Sequence, residues 1–351
     1  MSKRVLVTGA TGLIGRRVVQ RLVMSGWQVI GLDRSLDGRL TLLPEDIRTA
    51  VQWIEGDSRD QDRIVAATRG VDAVAHLAAG ASFLMYEELP LEYTAGTIGG
   101  FHTILEAAVR NDVSTVVYAS TSAVYEGNPV PYHEQMELRP PDLKAFAKKV
   151  NEEMADIYAD RYQIRTVALR PFSVYGEDEM SKGKYANITS LFAWALLGGQ
   201  RPIVWGDGSQ TRDFIHASDV ARAFVLALES PSTVRHFNVG TGRETSFSEV
   251  VSLLANKLGI DPDPIYVPTP IAIYAQRLLA DTTVIERELG FVPEITLEAG
   301  LDLTLEHARR RTATEWSHLP LAQTIVLQER SLAPTAIEQA PVGYAGQGVH
   351  T

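Results

Sequence analysis

Val5-Leu6-Val7-Thr8-Gly9-Ala10-Thr11-Gly12-Leu13-Ile14-Gly15 is the stretch that decides the fold. Its first residues are a short, β-branched apolar run, as in a buried parallel strand. Beyond the turn, Val18, Val19, Leu22 and Val23 recur at helical spacing, and Gly26 closes the helix. Strand, glycine turn and helix in this order form a phosphate-binding frame. The glycines, spaced G-x-x-G-x-x-G, supply a tight turn, close approach to a pyrophosphate and close helix-on-strand packing. The helix N-terminus then offers N–H groups and a positive dipole end to phosphate.

Working outward, Gln28-Val29-Ile30-Gly31-Leu32 is a second strand ending at Asp33. A carboxylate there binds ribose hydroxyls and repels a 2′-phosphate, which favours NAD. Arg34 follows and partly offsets that preference. Val51 to Asp57 reads as a strand ending in an acid, with Ser58-Arg59-Asp60 opening a helix. Val71 to Ala79 is a fourth strand running into small residues that let backbone approach a cofactor. A helix is expected over Gly99 to Arg110, with strands over Val113 to Ser120 and Ile164 to Leu169. This alternation predicts an α/β fold with a doubly wound parallel Rossmann sheet, ligands lying outside the carboxyl ends of its strands.

Composition narrows the chemistry. Of 351 residues, 45% are hydrophobic and 22% charged, enough for a full core and against intrinsic disorder. The net charge is −10, with no Lys/Arg block, so neither nucleic acid nor an anionic membrane is an expected partner. With no cysteine, the chain has no disulfide, thiol nucleophile or Cys-metal site, and its histidines lack metal-ligand spacing, so no metal is expected. Met1-Ser2-Lys3-Arg4 runs straight into the first strand without a signal-peptide pattern, and no apolar stretch reaches transmembrane length. A soluble, cytoplasmic protein is the expectation.

Further ordered motifs are His76-Leu77-Ala78-Ala79, Ser120-Thr121-Ser122-Ala123-Val124-Tyr125, Arg170-Pro171-Phe172-Ser173-Val174-Tyr175-Gly176 and Gly206-Asp207-Gly208-Ser209-Gln210-Thr211-Arg212-Asp213-Phe214. With the glycine turn and Gly56-Asp57-Ser58-Arg59-Asp60, the chain from about Lys3 to Arg310 resembles the extended short-chain dehydrogenase/reductase family, in its NAD-dependent nucleotide-sugar epimerase/dehydratase branch. The resemblance implies an NAD-binding Rossmann domain over 1–176, with returning segments at about 204–240, and a smaller C-terminal α/β substrate lobe over about 177–203 and 241–313. It implies cofactor contacts from Gly9, Thr11, Gly12, Leu13, Ile14, Gly15, Asp33, Arg34, Asp57, Ser58, Leu77, Ala78, Ala79, Lys148 and Pro171. Asp57 would meet the adenine, and Arg212 the substrate diphosphate, with Ser82, Ser122 and Ser173 as further substrate contacts. A homodimer through two helices, about 99–110 and 144–162, is also implied.

The chain departs from that family where the chemistry happens. The family oxidises a sugar carbon transiently, using a tyrosinate as base, a Ser or Thr hydroxyl, and a lysine one helical turn after the tyrosine. Residues at i and i+4 share a helix face, and the lysine charge favours the phenolate. Here the segment reads Asp142-Leu143-Lys144-Ala145-Phe146-Ala147-Lys148-Lys149, with no tyrosine before either lysine. In one register Lys148 is the family lysine and Lys144 stands for the tyrosine; in the other these are Lys149 and Ala145. The first is preferred, because it also places Arg139-Pro140, Glu152, Tyr158 and Tyr162. Two lysines beside a positive nicotinamide ring would disfavour the ammonium form, which makes Lys144 the candidate general base, with Thr121 and Lys148 beside it; the alternatives are that Lys144 is a solvated helix lysine or that the family's redox step is lost.

Other positions have changed too: Thr97 and Ser173 replace asparagines, and Thr269-Pro270-Ile271 replaces the usual Arg-Pro-Gly. Arg277 is a further candidate phosphate contact. Tyr125 is expected to pack and His133 to be exposed, while 314–351, rich in Ala, Pro and Gly from Ser331 on, is a tail outside the resemblance. The leading expectation is therefore an NAD-dependent nucleotide-sugar epimerase or dehydratase. Its rivals are a net dehydrogenase or reductase on another polyol or carbonyl substrate, and a catalytically altered dinucleotide-binding sensor.

Overall fold

The computed structural model describes residues 2–36, 38–269 and 274–310. The tail expected at 314–351 and Pro270-Ile271 lie outside the described residues.

Strand β1 (Arg4–Thr8) leads through the glycine turn into helix α1 (Gly15–Met24), followed by β2 (Gln28–Asp33), α2 (Glu45–Ala50), β3 (Gln52–Glu55), α3 (Gln61–Ala67) and β4 (Ala73–His76). Next come α4 (Phe83–Glu88), α5 (Pro90–Arg110), β5 (Thr115–Ala119), α6 (Leu143–Tyr162), β6 (Arg165–Pro171) and β7 (Ser173–Tyr175). The chain continues as α7 (Ile188–Leu197), β8 (Ile203–Trp205), β9 (Thr211–Arg212), β10 (Phe214–His216), α8 (Ala217–Glu229) and β11 (His236–Val239). It closes with β12 (Thr245–Ser246), α9 (Phe247–Leu258), β13 (Ile265–Val267), α10 (Thr283–Leu289) and α11 (Leu297–Arg309).

A seven-stranded sheet in the order β11-β6-β5-β4-β1-β2-β3 forms the centre, and its pairs are parallel. The expected doubly wound α/β sheet is therefore present. Apolar layers cover both faces: Val5, Val7, Val18 and Phe224 lie in one, and Leu6, Val74, Phe101 and Ile104 in the other, all buried. Successive strand residues point to opposite faces, so β1 feeds both cores from adjacent positions. A third apolar cluster, with Phe192, Val204, Val250, Leu254 and Leu301, fills the C-terminal lobe.

Several boundaries differ from the sequence expectation. The helix expected from Gly99 begins at Pro90, and α4 precedes it. Its first half contains Gly96, Gly99 and Gly100, poor helix formers that mask it in sequence. Packing on α6 and α3 overrides that weakness. The third and fourth strands are shorter than expected, so Asp57 and Leu77-Ala78-Ala79 lie beyond the strand ends, in the loops that face ligand. Of the returning segment, β11 joins the main sheet and α8 packs on it, whereas β8 pairs with β13 in the lobe.

Candidate functional site

The glycine turn is shaped by packing that excludes side chains. Gly9 sits in the left-handed region at φ 69°, and a Cβ there would lie 2.8 Å from the backbone of Leu77 and Ala78. A Cβ on Gly15 would lie 1.9 Å from the Gly9 carbonyl oxygen. Glycine is thus the residue that lets α1 start directly against β1 and β4. The Gly12 amide donates to the Gly9 carbonyl (3.1 Å), closing the turn.

Above this turn opens a cleft of about 930 Å³ along the carboxyl ends of the strands. Every site residue expected from sequence except Arg277 lines it. One end holds Gly9, Thr11, Gly12, Leu13, Ile14, Gly15, Asp33, Arg34, Asp57, Ser58, Leu77, Ala78 and Ala79. Asp33 accepts from the Thr11 amide (3.0 Å) and hydroxyl (2.8 Å), which fixes its carboxylate at the end of β2. Asp57 is bridged by Arg59, whose hydrogen bonds hold its carboxyl below the usual range. This end fits a dinucleotide: a side-chain-free turn, a helix N-terminus and two acids at strand ends face one groove.

Thr121, Ser122, Lys144, Lys148 and Pro171 line the middle. Asp142 caps α6, accepting from the Ala145 amide (2.8 Å), and so sets the start of the helix carrying both lysines. Lys144 and Lys148 face the cleft one turn apart, while Ala145 is fully buried and Lys149 turns outward to Glu153 (3.7 Å). The geometry thus brings together the pair of the first register and not that of the second.

Lys148 is 4% exposed, and its Nζ donates to the Ala119 carbonyl (2.6 Å). Burial, with Lys144 beside it, lowers its pKa to about 7, against the pull of Glu152. Burial lowers the pKa of Lys144 as well, against Asp142 and with Lys182. One turn beyond Lys148, Glu152 receives a two-pronged grip from Arg170 of β6 (2.9 and 2.6 Å) and a hydrogen bond from Ser120 (2.5 Å). This buried pair pins α6 at a fixed height over the strand ends. Beneath, the buried His76 exchanges a hydrogen bond with the Thr8 hydroxyl (2.8 Å), and burial plus Lys148 lowers its pKa to about 3. Thr121 accepts from the Ala123 amide (3.3 Å), leaving its hydroxyl proton for the cleft.

The far end belongs to the lobe. Ser82 caps α4 through the Leu84 amide (3.3 Å), and the Ser173 hydroxyl accepts from Asn187 (3.1 Å). Arg212 is sandwiched between the rings of Phe247 (5.2 Å) and Tyr274 (4.9 Å). It is not spent on a neighbouring acid: Asp213 accepts from Thr241, Gly242 and Ala280, and Asp219 from the amides of Glu294 and Ile295. Arg277 is corrected as a phosphate candidate, since it lies exposed and bound to Glu244 (2.5 Å) away from the lining. Tyr125 packs at full burial and His133 is exposed, as expected. Glu126, Asn187, Phe247 and Tyr274 also line the cleft, though sequence reasoning did not single them out. Asn187 carried a local signal, an N-cap position before α7, but no signal marked the others.

Residues 5–240 match the family described as the NAD dependent epimerase/dehydratase family. The UDP-glucose 4-epimerase of Mycolicibacterium smegmatis is 32% identical over 314 residues, covering 88% of this chain and 99% of that protein. Among solved structures, a Thermotoga maritima UDP-glucose 4-epimerase with UDP-glucose superposes with a TM-score of 0.82 at 29% identity, over 88% of this chain and 99% of that one. MoeE5 in complex with UDP-glucose and NAD superposes with a TM-score of 0.78 at 33% identity, over the same shares of 88% and 99%.

Proposed function

The chain belongs to the NAD dependent epimerase/dehydratase family, and from that premise we propose that it is an NAD-dependent nucleotide-sugar epimerase, acting on a UDP-hexose at C4 with Lys144 as base. The observation that carries this reading is the continuity of the cleft. The glycine turn, the Thr121–Lys144–Lys148 group and Arg212 line one groove in that order. The kinship with UDP-glucose 4-epimerases supports the substrate class.

The glycine turn, Asp33, Asp57, Lys148 and Pro171 would hold NAD. NAD, when bound, supplies a reversible hydride acceptor, so a carbinol carbon is oxidised and reduced again within one turnover. Lys144 takes the proton of the sugar hydroxyl as that carbon is oxidised and returns it on reduction. Its burial, with Lys182 adding to it against Asp142, favours the neutral amine that this role needs. Thr121 shares the proton through its hydroxyl, and Lys148 fixes the spacing through Ala119. Arg212 anchors the diphosphate, stacked between two rings that prevent it from collapsing onto an acid. A hexose tethered at its diphosphate can turn and present its other face for reduction, which is inversion.

The same reading divides the chain into an NAD domain and a substrate lobe at the boundaries expected from sequence. It also includes a cytoplasmic homodimer joined through α5 and α6, whose outer face exposes Phe146 (46%), Ile157 (61%) and Tyr162 (41%). No described helix is long and apolar enough to cross a membrane.

The direct test mixes the NAD-loaded protein with UDP-glucose and follows the anomeric protons by NMR. UDP-galactose forming without accumulation of NADH is the expected result. NADH rising in step with product would select the dehydrogenase reading. Tight NAD binding with no turnover across a panel of nucleotide sugars would select the sensor reading.

A further inference from the structure

Glu126 closes the 3-10 turn Ser122–Tyr125 that Thr121 opens, so a hydroxyl and a carboxylate are presented on one wall of the cleft. Its charged neighbours fix its place along the groove. They are Arg212 from the lobe and Asp142, the cap of the helix carrying Lys144. A hexose whose reacting hydroxyl meets Thr121 and Lys144, and whose diphosphate meets Arg212, must pass Glu126.

Most other acids in this cleft are engaged, and Glu87, which is not, is exposed to solvent. Asp33 is held by Thr11, Asp57 by Arg59, Asp178 by Arg16 and His307, and Glu179 by Lys182 and Ser190. Glu126 is half-buried, yet among the described residues its carboxylate has no hydrogen-bond or ion-pair partner. Burial raises its pKa, Asp142 adds to that, and Arg212 opposes it without closing to a salt bridge. The Glu126 oxygens stay open to the cleft and lack a protein donor, so a ligand hydroxyl can complete them.

Resting on the functional reading of the cleft, we propose that Glu126 is the specificity-determining residue of the sugar subsite. It accepts a hydrogen bond from a sugar hydroxyl and turns away nucleotide sugars that carry a carboxylate on the ring. The hydroxyl satisfies the exposed lone pairs, whereas a second carboxylate in the same partly desolvated space meets like-charge repulsion. Because Arg212 serves the diphosphate common to all such ligands, the difference between two sugars is left to Glu126.

The test is calorimetric titration of the NAD-loaded protein with UDP, UDP-glucose and UDP-glucuronate, for wild type, Glu126→Gln and Glu126→Ser. Glutamine keeps the shape and breaks no internal bond, and thermal melting checks both variants. Wild type should bind UDP-glucose about tenfold or more tighter than UDP-glucuronate, and Glu126→Gln should shrink that ratio by about tenfold. Glu126→Ser should shrink it equally, since the charge is gone in both. An unchanged ratio in both variants, or a wild-type preference for UDP-glucuronate, overturns the proposal while leaving the epimerase reading standing. Failure of wild type to bind any of the three ligands overturns the epimerase reading and this inference with it.

Discussion

At the glycine turn the wall of the cleft is backbone: Gly9 and Gly15 touch so closely that no side chain fits between them. At the other end the wall is side chains, with Thr121 from the end of β5, Lys144 from α6, Ser173 from β7, Arg212 from β9 and Tyr274 from the lobe. The difference teaches which parts of such a site can be rewritten. A backbone-built end has one solution, so its residues are fixed by sterics. A side-chain-built end keeps its frame through the Arg170–Glu152 clasp and the Asp142 cap, and the groups mounted on that frame are exchangeable. The lysine proposed in place of a tyrosine is an exchange of that kind.

The sharpest way to break this comparison is Gly15→Val. Its Cβ would collide with the Gly9 carbonyl, and we expect about 5 kcal/mol of destabilisation and loss of bound NAD, read by thermal melting and by cofactor content. A well-folded, NAD-loaded variant would show that the turn has slack. The next largest effect is pH. The base must be the neutral amine, and burial lowers the pKa of Lys144 below that of an ordinary lysine. Turnover should therefore rise with pH up to an apparent pKa below that of a free lysine, falling about tenfold per unit on the acid side. The stability term has the same sign. Lys148 titrates near 7 when folded and 10.5 when unfolded, so its contribution to stability rises with pH across that window. A flat profile would remove the lysines from the chemistry.

At the exchangeable end, Arg212→Met should raise KM by about thirtyfold with kcat within about threefold, as loss of a charge-assisted contact implies. A fall in kcat alone would instead place Arg212 at the reacting centre. The smallest effect sharpens the contrast from outside the cleft. Asp60→Ala removes the cap that accepts from the Arg63 amide and should lower the melting temperature slightly without altering KM or kcat.

Legibility in the sequence follows the same division. Val5 to Gly15 could be read locally, because a strand, a turn and a helix packed on one another leave their mark in consecutive residues. Asp33 and Asp57 were legible as acids at strand ends, since strand period and loop position are also local. The start of α5 was not, because Gly100 is required by a neighbour far away in sequence: a Cβ there would lie 2.5 Å from the Ser58 hydroxyl. The strands β8, β9, β12 and β13 have two or three residues each, too short for any period to register. The register of Lys144 and Lys148 stayed open until the helix face was known, since only burial of Ala145 and the outward turn of Lys149 separate the two alignments. Glu126 carried no signal at all. Its role depends on facing Arg212, 86 positions away by number, across a groove that only the folded chain creates.

In the proposed mechanism a lysine does the proton work on an unaltered cofactor frame. Single-turnover conversion of UDP-glucose should be measured in wild type, Lys144→Ala and Lys144→Tyr, with bound NAD quantified in each. Full NAD occupancy is expected in all three, with a loss of about a hundredfold or more in Lys144→Ala and activity restored in Lys144→Tyr with a changed pH profile. Wild-type rates in Lys144→Ala with NAD still bound would contradict the mechanism.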